Sequence, residues 1–456
     1  MTQNLPPAPP LRKLIGPSFI LLGLGLGSGE VILWPYMTAN YGLGLVWAAL
    51  IGITMQFFIN MEVTRYTLIF GESVFVGFSR LLRFLPLWFI ISTLLGFGWP
   101  GIGLTGAHLL SRGLSLPAPQ LTAIAIFILI GLVLTLGRVL YTTVETTQKI
   151  IIGIGIPFLI LLTLYFIQLP ALVSLFQGFV GIGDGFQFVP KNLDLLTFLG
   201  ALAYAGAGGN LNLAQSFYVR DKGYGMGHYS DRIKSLITNK SATTIRLEGT
   251  TFPDTPQNLK NFRLWWRRVN LEHMLVFWFL GLLTMTLLML LSYLTAFHQA
   301  GNATGINFLF NQSRAIGQAL HPLTGNLFLI ITGLMLTATQ FTVLDSTSRI
   351  ITENLLLLKH KSHARVGLYY YATLWLQIIF CIIIVSVGYS QPKDLITLGA
   401  VINGFTMFSY IAILIYLNNH APKKPYRPSL IRNLILTFTF LFFGFFCLLT
   451  ILQIFH

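Results

Sequence analysis

Glu30 stands directly after Gly25-Leu26-Gly27-Ser28-Gly29, inside an apolar stretch running from about Leu14 to Trp34. A carboxylate so placed can bind a cation or carry a proton, because its surroundings offer the charge no water. At membrane depth an ionisable group costs about 3 kcal/mol on insertion scales, so it marks a functional site or a partner. Three glycines in five positions remove the side chains that favour a regular helix, leaving the backbone free to unwind. Unwound backbone at that depth is tolerated only where protein or a water-filled cavity covers it. The stretch therefore predicts a helix break facing a lumen, with a charge beside it, as a substrate site would need. The competing reading is a glycine packing seam with a snorkelling or protonated Glu30.

A second stretch repeats the pattern. Ala205-Gly206-Ala207-Gly208-Gly209-Asn210 precedes Leu211-Asn212-Leu213, with Asn210 falling 180 residues after Glu30. Gly27, Ser28 and Glu30 in the first stretch, and Ala207, Gly208 and Asn210 in the second, are the candidate substrate-binding positions. Glu30 and Asn210 are the candidate metal ligands. Neither break holds Lys or Arg, which favours a cationic substrate or a proton. Tyr204 precedes the second break and could line a pocket, whereas Asn212 and Gln215 are equally read as hydrogen bonds between helices. Candidates for proton coupling are Glu30, His108 and Asp345. His108 titrates near neutrality when unperturbed, but a hydrogen-bonded interface histidine is the preferred reading. Asp345 lies four residues before Arg349, on one helix face, and a structural ion pair is preferred there. Glu62 and Arg65, three residues apart, are read in the same way.

These positions need long apolar elements to hold them. The chain has 456 residues, 54% hydrophobic and 9% charged, against about 25% charged in soluble proteins. Eleven apolar segments fall near 14–34, 42–64, 84–110, 119–138, 149–169, 195–218, 270–297, 322–348, 366–388, 394–417 and 430–454, each about long enough to span a bilayer as a helix. With the N-terminus inside, 25 of the 29 Lys and Arg fall on the inner side. Only Arg112, Lys191, Arg314 and Lys393 remain outside, the asymmetry that the positive-inside rule demands. The net charge of +15 is thus explained by topology, and nucleic-acid binding is excluded as a reading. An odd number of spans puts the C-terminus outside.

The first 13 residues, Pro-rich at their start, read as a disordered inner tail, and 14–454 as one membrane domain. The connection 219–269 is basic, and Phe262 to Arg268 reads as an amphipathic interfacial segment. Gly181 to Gly185, with Asp184, reads as a turn and not a dinucleotide fingerprint. Cys381 and Cys447 lie in apolar runs and suggest neither a disulfide nor a thiolate metal site. The nine His are scattered, without the convergence that metal catalysis requires, so an embedded enzyme is not expected. The two Gly-rich stretches lie five spans apart, so the halves are inverted, 14–169 against 195–417, with 430–454 as an extra helix. Interrupted spans at matching places in inverted halves point to a transporter site.

From Leu14 to about Thr450 the chain resembles the Nramp family of proton-coupled divalent-metal transporters, in its bacterial Nramp-related branch. The likeness rests on Gly16-Pro17, the two Gly-rich stretches and Val343 to Ile350 in the eighth span. Gly399-Ala400-Val401-Ile402-Asn403-Gly404 in the tenth and Tyr426-Arg427-Pro428-Ser429 before the eleventh add to it. The resemblance implies an all-α membrane protein with a LeuT-like five-plus-five inverted repeat and discontinuous helices 1 and 6. It also implies polar contacts to the substrate from Asn403. The family's Asp-Pro-Gly-Asn is here Gly27-Ser28-Gly29-Glu30, and its Met-Pro-His-Asn is Ala207-Gly208-Gly209-Asn210. The thioether that favours soft metals is missing.

The expectation is therefore a secondary transporter in the cytoplasmic membrane, with lipids and a small cation as partners and no resident cofactor. Its cargo is read as a divalent metal ion, with a proton as the coupling ion. The alternative cargo is an organic or monovalent cation, or a neutral solute; a channel is the next rival.

Overall fold

The computed structural model describes residues 3–455 except 15, 137–139, 232–244, 361–362, 365 and 389–390. Arg138, Arg232, Lys234, Lys240, Lys361 and Arg365, all assigned to the basic side by sequence, lie outside the described residues.

Among the described residues, ten helices are long and apolar enough to cross a membrane. Spans 1 to 5 are Pro17–Tyr41, Leu43–Phe70, Leu85–Gly113, Pro119–Leu136 and Leu140–Phe166. Spans 7 to 11 are Pro256–Ala296, Pro322–Leu358, Val366–Ser386, Pro392–His420 and Leu430–Leu452. Span 6 comes in two pieces, Leu195–Ala203 and Gly209–Lys222, each too short to cross alone. With it the count reaches the expected eleven, and the chain is an integral membrane protein. Burial orders the spans: the apolar window of span 1 is 94% buried, that of span 8 72%, and those of spans 4, 5 and 11 33%. Span 1 is therefore a central pillar, while Leu161, Leu376 and Leu430 on outer helices face what would be lipid.

Several helices outrun their apolar windows at one end. Span 5 begins at Leu140 and carries Glu145 and Gln148 buried; span 8 runs on to Leu358 and carries Arg349 and Glu353 buried. Hydropathy loses these turns because they are polar. The helix keeps them because their charges find partners inside the protein, as described below.

At this basic end the N-terminal tail departs from expectation. Residues 3–13 are not a disordered tail: they lie along the helix Pro256–His273, the polar first part of span 7 that precedes its apolar stretch. The Leu5 N–H donates to Asn258 Oδ1 at 3.1 Å, and Trp265 Nε1 donates to the Pro6 carbonyl at 2.7 Å. Arg268 Nη1 donates to the carbonyls of Ala8 and Pro9 at 2.5 and 2.8 Å. A Pro-rich extended segment makes no internal hydrogen bonds, so its carbonyls are free for these donors. The helix is amphipathic as expected, but Phe262, Trp265 and Val269 are buried by protein, in a cluster with Leu5, Ala8 and Tyr426. At the opposite end Ile182–Gly183 pairs with Phe186–Gln187 around Asp184-Gly185, the expected turn.

Candidate substrate site

The first half of span 6 starts on an N-cap, Asp194, whose Oδ1 accepts from the Thr197 N–H at 3.1 Å. It ends at Tyr204, and the second half starts only at Gly209. Gly208 and Gly209 have φ of +74° and +48°, in the left-handed region that L side chains avoid. The break exposes carbonyls and an N–H that lipid could not satisfy. One side chain from span 2 takes up both ends. Gln56 Nε2 donates to the Leu202 and Ala203 carbonyls at 3.3 and 3.0 Å, and its Oε1 accepts from the Gly208 N–H at 3.0 Å. Gln56→Leu strands the Ala203 carbonyl and the Gly208 N–H without water, at about 1–3 kcal/mol for each buried group left unsatisfied. A clear fall in the unfolding temperature of the purified protein is the expected result; an unchanged one would remove Gln56 from this role.

Span 1 is less interrupted than expected. Its backbone stays helical, and the strain is taken up as a π-helical turn over Ser28–Leu33. The glycines serve close approach. A Cβ on Gly29 would fall 1.6 Å from the Tyr204 carbonyl oxygen, one on Gly25 3.0 Å from Gly206, and one on Gly27 2.4 Å from Thr339 of span 8. The seam reading therefore describes these glycines better than an unwound segment does. Ser28 and Ala207 are buried within the same layer.

Glu30 is buried and turned toward span 7, where its Oε2 accepts from Thr284 Oγ1 at 2.5 Å. Asn210 is turned toward span 3, its Nδ2 donating to Ser92 Oγ and Thr93 Oγ1 at 2.8 Å each. The two candidate metal ligands thus bond to different spans and share no partner.

Asn403 lies beside the break. Its Nδ2 donates to the Gly96 carbonyl at 3.0 Å and to Tyr204 Oη at 2.9 Å. Tyr410 Oη donates to the Gly209 carbonyl at 3.0 Å and accepts from Asn212 Nδ2 at 3.2 Å. Spans 3, 6 and 10 so enclose a layer of amides and hydroxyls. A cavity of about 10 Å³ beside Gly96, Phe97 and Tyr204 has room for about one water. Within this layer Asn210 Oδ1, Asn212 Oδ1 and Asn403 Oδ1 are buried without a hydrogen-bond partner among the described residues. Gln56, Ser92, Thr93, Thr284 and Tyr410 were missed by sequence reasoning. Gln56, buried mid-span in apolar sequence, was the signal that could have been read.

The other two proton candidates lie elsewhere. His108 is half-buried in the later half of span 3, its Nε2 unpartnered among the described residues. Asp345 is fully buried in an ion network at the basic end. Both its oxygens accept from Arg349 Nε at 3.0 Å, with Tyr370 Oη on Oδ1 at 2.8 Å and Tyr218 Oη on Oδ2 at 3.0 Å. Arg349 Nη1 reaches Asp221 at 2.6 Å, and Arg220 pairs with Glu353 at 3.1 Å, Glu353 also accepting from Ser73. Glu62 pairs with Arg65 at 2.7 Å, as expected.

No family model and no curated protein matches the sequence. Solved structures do match. One variant of the Eremococcus coleocola manganese transporter aligns with a TM-score of 0.70 at 13% identity, covering 97% of this chain and 86% of that one. A second variant gives 0.68 at 13%, covering 96% and 86%. MhsT in complex with L-phenylalanine gives 0.51 at 14%, covering 95% and 97%. At these identities the likeness is one of fold, and it agrees with the inverted repeat read from the two Gly-rich stretches. The chain has the LeuT-like five-plus-five fold, in its Nramp-like form.

Proposed function

We propose that this protein is a secondary transporter that carries a small cation between the π turn of span 1 and the break in span 6. The observation that carries this reading is the imbalance of the central layer. Among the described residues its unpartnered buried atoms include the acceptor oxygens of Asn210, Asn212 and Asn403, and the adjoining span 1 carries the Glu30 carboxylate. Such a layer asks for a cation or for a substrate rich in N–H and O–H donors. Oxygen donors suit a hard ion such as magnesium or manganese, kept partly hydrated. A proton is the proposed coupling ion, and no resident cofactor is needed.

The basic end is placed in the cytoplasm, with the N-terminus inside, the C-terminus outside and the protein in the cytoplasmic membrane. Spans 1, 2, 6 and 7 are proposed to rock as one bundle against the rest. Gln56 bonding span 2 to span 6, and Thr284 bonding span 7 to span 1, support this grouping.

An organic or monovalent cation, or a neutral solute, is the second reading. It is favoured by one observation: among the described residues no group of three or more His, Cys, Asp or Glu could hold a metal. Isothermal titration of the purified protein with magnesium and manganese separates the two. On the metal reading the wild type gives saturable heat and Glu30→Gln gives none, while both unfold alike without metal. Metal binding that survives in Glu30→Gln would move the assignment to the second reading. Proteoliposome flux with and without a proton gradient tests coupling, and an uncoupled leak would favour a channel.

A further inference from the structure

Glu272 and His273 are adjacent at the basic end of span 7 and take no part in the central layer. Both are buried, at 2% and 0% exposure. They meet the first turn of span 1. Ser18 Oγ lies 2.5 Å from Glu272 Oε2 and 2.8 Å from His273 Nδ1, and the Gly16 backbone N–H is aimed at the same carboxylate. Phe57 of span 2 and Phe277 stack on the imidazole with ring centroids 5.5 and 4.7 Å away, which fixes the plane of the ring. Glu272 Oε1 and His273 Nε2 remain buried without partners among the described residues, as do the hydroxyls of Tyr141 and Tyr224 nearby.

The surrounding charges are accounted for. From span 5 come Tyr141 and Glu145, the latter bonded to Lys149 at 2.5 Å. From the end of span 6 come Lys222, held by both oxygens of Glu145 at 2.9 and 3.0 Å, and Asp221, held by Arg349. Tyr224 approaches from the loop that follows. The nearest cation is thus committed to Glu145, and Glu272 makes no ion pair among the described residues.

We propose that Ser18, Glu272 and His273 form a one-proton binding site that fastens the basic end of span 1 to span 7, and that when this end of span 1 swings off span 7 within the rocking bundle the site exchanges its proton with water. The geometry accepts both proton states. With the proton on Glu272, its O–H donates to Ser18, Ser18 donates to His273 Nδ1, and the imidazole proton rests on Nε2. With the carboxyl ionised, Ser18 donates to Glu272, and the imidazole in its other tautomer donates from Nδ1 to Ser18. The two arrangements differ by one proton, and Ser18 is partnered on both sides in each. Directly after His273, residues Met274–Phe279 form a π-helical turn. Such turns are frequent at functional sites, and here one gives the end of span 7 local freedom. Spans 1 and 7 are also joined at the centre by Glu30 and Thr284, so a carboxylate–hydroxyl pair closes each of two levels, with the donor and acceptor spans exchanged.

This inference rests on the alternating-access part of the proposed function, but its test needs no substrate. Leu22, 1% exposed, faces Gly281 across the contact between spans 1 and 7. Leu22→Cys, in a chain whose buried Cys381 and Cys447 are replaced by Ala, reports opening. Its labelling by a maleimide is followed in open membrane fragments from pH 5 to 8, each rate divided by that of the denatured chain. The corrected rate is expected to change about tenfold, the effect of a one-unit difference in proton affinity between closed and open states. Glu272→Gln flattens that response; Ser18→Ala flattens it and Ser18→Thr, which keeps the hydroxyl, restores it. A response unchanged in Glu272→Gln, or a flat response in the parent, overturns the proposal. Should Glu272→Gln fail to fold, His273→Gln gives the same reading, and an unchanged response there overturns it equally. A protein that binds no metal yet shows the Glu272-dependent response would fail the cargo assignment alone.

Discussion

Arg349→Met is expected to cost about 3–5 kcal/mol, the range for breaking a buried ion pair from one side. Arg349 is 2% exposed and spans two carboxylates, Asp345 through Nε and Asp221 through Nη1. Removing it leaves Asp345 with the hydroxyls of Tyr218 and Tyr370 and no cation bonded to it. Asp221 keeps only a long contact to Arg220, at 3.4 Å. The penalty comes from these stranded charges more than from the lost attraction. Two consequences can be measured. Thermal unfolding of the purified variant should fall sharply, and added salt should not restore it, since ions screen buried pairs poorly. Adding Asp345→Leu to Arg349→Met should recover part of the loss, because one of the stranded charges goes with it. A single variant as stable as the wild type would show that the network is wetter than its burial implies.

Gly29→Ala is the second large effect. The added methyl would sit 1.6 Å from the Tyr204 carbonyl oxygen, a backbone atom that no rotamer change can move aside. Tyr204 is itself held, its ring stacked on Phe97 at 5.7 Å and its hydroxyl accepting from Asn403. Spans 1 and 6 must therefore separate at the level of the central layer. Overpacking of a tight core costs about 1–3 kcal/mol and sometimes more; contact with fixed backbone puts this site at the upper end. Gly153→Ala is the matched control, since its Cβ meets nothing within 4 Å and Ala is the better helix former. Unfolding temperatures of the two variants should move in opposite directions. Equal values would mean that the seam yields.

How much of this was legible follows from what each signal measures. Apolar length fixes where helices lie in a membrane, so the span positions emerged from the sequence, including a sixth span divided at Ala205 to Gly209. It does not see polar turns, which is why spans 5 and 8 run on past their windows to buried Glu145 and Glu353. Glycines in a row carry two meanings, freedom to unwind and room for a neighbour. At Gly208 the positive φ selects the first; at Gly29 the Tyr204 carbonyl selects the second. Nothing in spacing chooses between them without the partner helix. The facing of Glu30 toward Thr284 and of Asn210 toward Ser92 depends on helix rotation, which a single sequence leaves open. Asp345 and Arg349 needed only their four-residue offset, and they pair as that offset suggests. Ser18 and Glu272 are 254 residues apart, and no local pattern links them.

That same long reach bears on how the chain is assembled. Asn4 to Pro9 leave the ribosome well before their partners Asn258 to Arg268, which follow some 250 residues later. Six spans must be inserted before the tail has anything to bind. Contacts of such sequence separation are among the last to form, since the intervening loop must close before they contribute. The tail is thus a closing stitch of biogenesis, laid down only over a bundle whose first half is already in place.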